Sequence, residues 1–471
     1  MKYLFSLYSL KFVKSLVYLM QKCEYFVMDF LGVLRHVSDF RKVEIRGKLV
    51  FTIKANIIYI ILELSRIILF CFALYNIFYL KLYFNIIFLV LIPVLIIIEL
   101  IIISLLVNFL QKPLEYYLIY KAKRKLKNIK AIKIGIVGSF GKTSMREILF
   151  SVLDGGKKVA TVSENHNTPL GIAKFIMNLK GDEDILIFEF GEYYKGDIKY
   201  LCNFIKPDMG IITGINEAHM ERFKSIKNII STIFEISDYL KDKNVYVNTD
   251  NQLVDLNKRK VNIPFNVNGI ENFLTSNIKS DLNGTSFSLD ENNKIVNYKT
   301  ILIGKHNVSY ITLSIFLAKK FGLSDNEMMK GVENIKPIKH RLELKKINNN
   351  LSFLDDSYNG NIDGFMVALD FLKGIKDKRI LYVTPGLVES GSAKVELHEK
   401  IGNSIAESNI KNVILIKNSV TPVIVKALNN AGYDGEIMFF DTMLDLLKNL
   451  QYFTLENDLL VIQNDWGDHH F

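Results

Sequence analysis

Two long apolar runs dominate the first quarter of the chain. Residues 55–80 read ANIIYIILELSRIILFCFALYNIFYL, and residues 83–110 read YFNIIFLVLIPVLIIIELIIISLLVNFL. At 1.5 Å per residue, each is long enough to cross a hydrocarbon core of about 30 Å. Only a few residues around Lys81 join them, so the pattern predicts a two-helix transmembrane hairpin over 55–110. Within it Glu63, Arg66 and Glu99 stand at depths where charge is costly. Counted outward from Lys81, Arg66 and Glu99 fall at similar heights. An Arg66–Glu99 or Glu63–Arg66 pair is expected, and a polar contact with a lipid-linked substrate is the alternative. Residues 1–20 mix apolar positions with Lys11 and Lys14 and end at no small-residue cleavage site. They predict an amphipathic helix on the membrane surface rather than a signal peptide, and a helix packed on protein is the simpler alternative.

Beyond residue 130 the pattern changes to short buried-type strands alternating with amphipathic helices. AIKIGIV (131–137) is β-rich, and MREILFSVL, a few residues on, is helical in texture. DILIFEFGEYYKGDI (184–198) and PDMGIITGINEAHMERF (207–223) begin as further buried strands. Such alternation argues for an α/β fold with parallel sheets. The expected organisation is a cytoplasmic amphipathic helical segment at 1–54, the hairpin at 55–110 and a basic linker at 111–130. A central α/β domain follows at 131–335, with a small β-rich excursion near 256–303. A Rossmann-like α/β domain occupies 336–471.

Composition adds three constraints. At roughly 150 residues per domain, 471 residues correspond to about three folded units. Hydrophobic residues make up 49% and mean hydropathy is +0.18, too apolar for a disordered chain and positive for a purely soluble one. Three scattered cysteines, Cys23, Cys71 and Cys202, exclude a disulfide scaffold and any CxxC metal site, and fit a reduced, cytosol-facing location. The net charge of +10 is concentrated at the front: residues 1–54 hold ten Lys/Arg, and a second run from Lys121 to Lys133 follows the apolar stretch. Basic residues thus flank the outer ends of the hairpin, which places both termini and the catalytic domains on the cytoplasmic side of a cell membrane. The partner implied by this charge is anionic membrane lipid, and no nucleic acid is expected.

The candidate chemistry starts after the first strand, at Gly138-Ser139-Phe140-Gly141-Lys142-Thr143-Ser144. Strand, glycine loop, helix is the arrangement that binds phosphate: backbone N–H groups and the helix N-terminus face the anion, and the lysine reaches the outer phosphates. Thr143 offers a hydroxyl to Mg²⁺. Ile136 stands where a full Walker pattern has its first glycine, so the spacing is the shorter GxxGKT. Glu189 ends the next apolar strand and His219 follows the one after it. A lone carboxylate there is expensive unless it meets a cation, and open α/β sheets bind ligands at the carboxyl ends of their strands. Thr143, Glu189 and His219 are therefore the expected metal set for Mg–ATP.

In these segments the chain resembles the Mur ligases, the ATP-dependent amide-forming enzymes of peptidoglycan precursor synthesis, and most of all their D-alanyl-D-alanine-adding branch. The resemblance covers about 132–471 and rests on an ordered series. It comprises GSFGKTS (138–144), NHNTPLGIA (165–173), FEFGEYYKGDI (188–198), EAHMERF (217–223), VYVNTDN (245–251), IGKHNV (303–308), KPIKHRLEL (336–344), LDDSYNGNIDGF (354–365) and VTPGLVESGSAKVELHEKIG (383–402). It implies an ATP site of Gly138, Ser139, Gly141, Lys142, Thr143, Ser144, Asn307 (adenine), Arg341 and Asp356. It also implies Lys142, Glu189 and His219 as catalytic, with Asn167, Thr168 and His398 facing substrate. For His398 a place on a helix surface is the alternative.

The departures are as informative. Ile233 stands where the family carries a lysine that becomes carbamylated and supports a second metal, so that metal, if held, needs Glu235 or water instead. Gly214 and Tyr310 replace family asparagines, His340 replaces a glycine, and QNDWGD (463–468) replaces a KGS-type turn. The segment that binds the UDP-sugar in the soluble enzymes is replaced by the hairpin. The implied reaction is ATP- and Mg²⁺-dependent joining of a cell-wall precursor carboxylate to an amino acid or dipeptide through an acyl phosphate. The alternatives are ligation of a lipid-linked or envelope-bound carboxylate, a catalytically silent subunit that recruits a partner subunit, and a membrane P-loop NTPase.

Overall fold

A computed structural model describes residues 2–35, 37, 39–43, 49–79, 85–163, 166–217, 223–241, 243–346, 351–358, 360–387 and 394–464. Met1–Tyr117 and Leu118–Asp468 form separate compact units.

In the first unit, helices Ile53–Phe78 and Asn85–Lys127 carry the two apolar runs, and each is long and apolar enough to cross a membrane. They run antiparallel: the Lys54 ammonium lies 2.6 Å from Asn108 Oδ1, and toward the other end Phe72 meets Phe88 edge to face at 6.1 Å. Of the two expected ion pairs the structure makes the local one, with Arg66 Nη2 2.6 Å from Glu63 Oε2. The second Arg66 nitrogen donates to the Ser9 carbonyl at 3.1 Å, so the guanidinium is held by protein.

One expectation for this region is corrected. The helix Phe12–Lys22 does not offer its apolar face to lipid. Phe12, Val13, Leu16, Val17, Leu19 and Met20 are buried in one cluster with Ile58, Leu62, Ile96 and Leu100. Its apolar face is too continuous to leave uncovered, and the neighbouring long helices supply the cover. Residues 111–127 of the basic linker continue the second long helix. Lys, Arg, Leu and Ala are good helix formers, and basic side chains in the last turn suit the helix dipole. From Leu118 onward this helix belongs to the second unit, where Ala122 and Leu126 enter the core.

Among the described residues the second unit holds three sheets. Strands β1 (Ile132–Val137), β2 (Val159–Thr161), β3 (Ile185–Glu189), β4 (Met209–Ile212), β5 (Val245–Asn248) and β6 (Ile263–Phe265) form a parallel sheet in the order 2-3-1-4-5-6. Apolar clusters cover both its faces, as the continuous Ile/Val/Leu character of the strands requires. Strands β7 (Gly269–Ile270), β8 (Phe273–Asp281), β9 (Gly284–Glu291) and β10 (Lys294–Thr300) make a small antiparallel sheet within the β-rich excursion.

The third sheet joins β11 (Glu343–Lys346), β12 (Leu351–Asp356), β13 (Ile380–Thr384), β14 (Asn412–Ile416), β15 (Glu436–Phe440) and β16 (Asp458–Gln463) in the order 11-12-16-13-14-15. All its pairs are parallel except β11 with β12. In the first sheet the chain leaves β1 for β2 on one side and returns to β4 on the other. The end of β1 is therefore a topological switch point, the place where such sheets bind ligands.

The Glu63–Arg66 pair yields a test. The R66L variant strands Glu63 in an apolar setting and is expected to cost about 3 kcal/mol, read as a lower thermal midpoint in nanodiscs. The E63L/R66L double variant, which removes both charges, is expected to recover most of that loss.

Candidate functional site

The glycine loop lies at the switch point and is fixed by close packing. Gly138 and Gly141 have φ of +146° and +80°, a region that favours glycine. A Cβ on Gly138 would overlap the Thr213 hydroxyl, and one on Gly141 would overlap the Tyr310 hydroxyl. Ser139 N–H donates to the Gly214 carbonyl at 2.7 Å, and the Thr213 hydroxyl donates to the carbonyl of Phe140 at 2.5 Å. Helix Lys142–Asp154 follows directly, with Ser144 buried in its first turn. Its N-terminal N–H groups therefore sit beside the loop, as phosphate binding requires.

Three buried charges, Arg146, Glu189 and Glu192, and the half-buried Lys142 surround this helix start. The Lys142 ammonium is 2.8 Å from Glu192 Oε1 and also donates to the Gly138 carbonyl. The Thr143 hydroxyl is 3.2 Å from Glu189 Oε2, and Arg146 Nη1 is 3.2 Å from the same oxygen. Arg146 is 1% exposed and also pairs with Glu147 at 2.5 Å. Burial pushes the Glu192 carboxyl up to about 7, against the opposing pull of Lys142. Thr143, Glu189 and Glu192 are hard oxygen donors, and Glu192 Oε2 is buried with no partner among the described residues. This donor set fits Mg²⁺.

A cavity of about 320 Å³ opens beside the loop. Phe140, Ser144, Asp250, His306 and Tyr310 line it from the central domain, and Arg341, Asp356 and Tyr358 line it from the following segment. The Arg341 guanidinium lies over the Tyr358 ring at 5.4 Å. Asp356 ends β12 in register with Gln463 of β16, whose amide donates to its carboxylate at 3.0 Å. Leu342 N–H donates to the other oxygen at 3.2 Å, yet burial raises this carboxyl to about 7. Burial lowers the His306 imidazole to about 4, with Arg341 adding to the effect, so it is neutral near pH 7.

The expected residues fall into distinct groups. Gly138, Ser139, Gly141, Lys142, Thr143, Ser144 and Glu189 gather at the loop, and Arg341 and Asp356 line the adjoining cavity. Asn167 lies against Gly191, on the turn that carries Glu192, with its carbonyl accepting from Gly191 N–H at 3.1 Å. Thr168 caps helix Pro169–Asn178 through Gly171 N–H at 3.3 Å. Asn307 commits its amide N–H groups to the carbonyls of Ile303 and Gly304 at 2.9 and 3.3 Å, which leaves only Oδ1 for a ligand.

Three assignments need correction or bounding. His398 is neither on a helix surface nor open to substrate. It is fully buried, its Nε2 accepts from Leu387 N–H at 2.8 Å, and its Nδ1 bonds the Lys394 carbonyl at 2.5 Å. Glu235 is not free to hold a metal, because its two oxygens accept from the N–H groups of Gly196 and Lys199 at 2.9 and 2.8 Å. His219 lies outside the described residues.

Two residues of the site carry no signal in the motifs. Arg146 follows Lys142 by four positions, so both lie on one face of the helix, and Glu192 is a charge set immediately after a buried strand and a glycine. Those spacings are the only local hints. Ile233, where the resemblance expects a carbamylated lysine, is a fully buried core residue.

Comparison with known proteins matches two family models. The Mur ligase middle domain matches residues 136–318, and the Mur ligase, glutamate ligase domain, matches 340–463. The UDP-N-acetylmuramoyl-tripeptide–D-alanyl-D-alanine ligase of Buchnera aphidicola (subsp. Baizongia pistaciae) is 27% identical over 341 residues, 70% of this chain and 72% of the relative. The enzyme of that name from Bacillus subtilis is 25% identical over 351 residues, 74% and 76% of the two chains. Among solved structures, MurF from Acinetobacter baumannii superposes with a TM-score of 0.64 at 20% identity, covering 74% of this chain and 77% of that one. The MurF ligase from Thermotoga maritima in complex with ADP gives 0.63 at 22% identity, covering 74% and 80%. These structures share the fold.

Gly214 and Phe140 are complementary: a Cβ at 214 would overlap the Phe140 ring. G214A is expected to destabilise by about 1–3 kcal/mol in thermal unfolding. The same change in an F140A background, where the ring is gone, is expected to cost little. Equal losses in both backgrounds would rule out this packing.

Proposed function

This chain belongs to the Mur ligase family, and we propose that it is an ATP-dependent, ADP-forming ligase joining the carboxylate of a cell-wall precursor to an amine. The relatives named above point to a UDP-N-acetylmuramoyl-tripeptide as the carboxylate and D-alanyl-D-alanine as the amine. The observation that carries the reading is the glycine loop at the switch point, with Lys142, Thr143 and Glu189 at the start of one helix, beside a cavity lined by Arg341 and Asp356.

In this reading the β- and γ-phosphates lie on the N–H groups of Gly138–Ser144, with Lys142 turned from Glu192 toward them. Thr143 and Glu189 would hold Mg²⁺, with His219 the third ligand that the family resemblance implies, and the ion would supply charge neutralisation on the phosphates. The precursor carboxylate oxygen attacks the γ-phosphorus, the bond to the β-phosphate oxygen breaks, and ADP leaves. The amine nitrogen then attacks the acyl carbon, phosphate departs with the electron pair of the acyl–oxygen bond, and the proton lost by the amine passes to the departing phosphate. The protein does little covalent chemistry. Its contribution is positioning and fixed positive charge where negative charge develops. Arg341 and Asp356 belong to the domain that follows the central one, so closure between the two completes the cavity.

The two long apolar helices favour a membrane-bound enzyme with its catalytic domains in the cytoplasm, and a second reading in which the acceptor carboxylate is lipid-linked. The test is phosphate release by the full-length protein in lipid nanodiscs given Mg–ATP, UDP-N-acetylmuramoyl-tripeptide and D-alanyl-D-alanine. Release is expected to need both substrates and to fall by about 100-fold or more in K142A. ATP hydrolysis indifferent to the amine would overturn the ligase reading. A chain beginning at Leu118, where the second unit starts, separates the two acceptors: it is expected to keep full activity on the soluble precursor, whereas loss of turnover on a lipid-linked one is the mark of the second reading.

A further inference from the structure

The P-loop lysine of this chain is held by an anion that its proposed ligand must displace. The Lys142 ammonium is 2.8 Å from Glu192 Oε1 and donates to the Gly138 carbonyl as well, so it points into the protein. Glu192 is 4% exposed, and its second oxygen has no partner among the described residues. Glu189, three positions earlier, is also buried and meets Thr143 at 3.2 Å and Arg146 at 3.2 Å. Among the buried groups the set is balanced: two carboxylates face two cations, Lys142 and Arg146, and the partly exposed Glu147 adds a contact to Arg146.

Nucleotide upsets that balance. If Lys142 turns to the phosphates, Glu192 loses its cation and is left buried beside a polyanion. Removing one partner of a buried pair is strongly destabilising, because the remaining charge has neither water nor a counterion. Arg146 cannot replace Lys142, since it is already shared between Glu147 and Glu189. A divalent cation between Glu192 and the phosphates restores neutrality, and two hard carboxylate oxygens suit Mg²⁺ or Mn²⁺. Neither Ile233 nor Glu235 can take that role: the first is apolar, and both oxygens of the second are bonded to backbone N–H groups.

We propose that Glu192 is a metal-binding carboxylate of the nucleotide site, a counterion to Lys142 before nucleotide binds and a ligand to a second divalent cation afterwards. The inference rests on the ATP-site reading above.

The test is Mn²⁺ binding, followed by electron paramagnetic resonance of the free ion, on the full-length protein in nanodiscs saturated with a non-hydrolysable ATP analogue. Wild type is expected to bind two Mn²⁺ per chain. E192Q is expected to lose the weaker site, with a Kd raised by about 10-fold or more, and E192D to recover part of it. Nucleotide affinity measured in EDTA is expected to be equal or tighter in E192Q, because Lys142 is released. E189Q, measured in parallel, is expected to weaken the tighter site. If E192Q matches wild type in stoichiometry and affinity while E189Q loses Mn²⁺, the assignment of Glu192 fails and the ATP site stands. If E189Q, E192Q and K142A all bind Mn²⁺ and the analogue as wild type does, the ATP-site reading fails and takes this inference with it.

Discussion

An ammonium drawn largely out of water needs an anion within reach, and much of the site follows from how this chain meets that need. Lys142 starts a helix at the end of β1, between the strand that ends in Glu189 and the strand that leads to Thr213. The parallel order 2-3-1-4 brings these ends together. Glycines at 138 and 141 let the loop approach Thr213 and Tyr310 closely enough to keep Lys142 inside rather than in solvent. Charge neutrality is then met locally, by Glu192 for Lys142 and by Glu189 for Arg146. A bulkier loop would expose the lysine, and a sheet of different order would separate it from both carboxylates.

The same constraint explains why the cavity sits where it does. The wall opposite the loop comes from β12 and β16, neighbours whose ends place Asp356 beside Gln463. Asp356 is buried but receives hydrogen bonds from Gln463 and Leu342, so the carboxylate is oriented before any ligand arrives. Phe140 and Tyr310 line the cavity from the other side. Aromatic bulk at 140 is compatible with the small residue at 214, and the Tyr310 hydroxyl lies against Gly141. The departures at Gly214 and Tyr310 are thus parts of one repacked loop environment.

The loop is legible in the sequence because its chemistry is local: glycines, lysine and hydroxyl fall within seven consecutive positions, and flanking strand and helix patterns give them their context. Glu189 is legible because an acid at the end of an apolar strand is costly to bury without a cation beside it. Residues whose roles depend on a distant partner are not legible in this way. Glu192 acquires meaning only beside Lys142, fifty positions away in sequence. His398 invites a place facing substrate or on a helix surface, but the Leu387 N–H donates to its ring and the side chain is buried. Asn307 keeps its place at the start of its helix while its amide turns to its own loop. The linker at 111–127 is hidden for another reason. Basic composition says nothing about backbone conformation, and lysine and arginine are good helix formers.

The front of the chain follows a different rule. Helices Ile53–Phe78 and Asn85–Lys127 leave many large apolar side chains exposed, among them Ile68, Phe72, Phe78, Phe109 and Leu110. An apolar surface of this kind is a liability in water, and it is the feature on which the membrane-bound reading proposed above rests. The N-terminal helix Phe12–Lys22 is covered by these same helices. The cations drawn into the unit are satisfied internally, Arg66 by Glu63 and the Ser9 carbonyl, and Lys54 by Asn108, Gln111 and the Tyr25 ring. Neither has the open coordination that the second oxygen of Glu192 has. The described polar groups of this unit are thus spent on packing, and the chemistry is concentrated in the residues around Lys142.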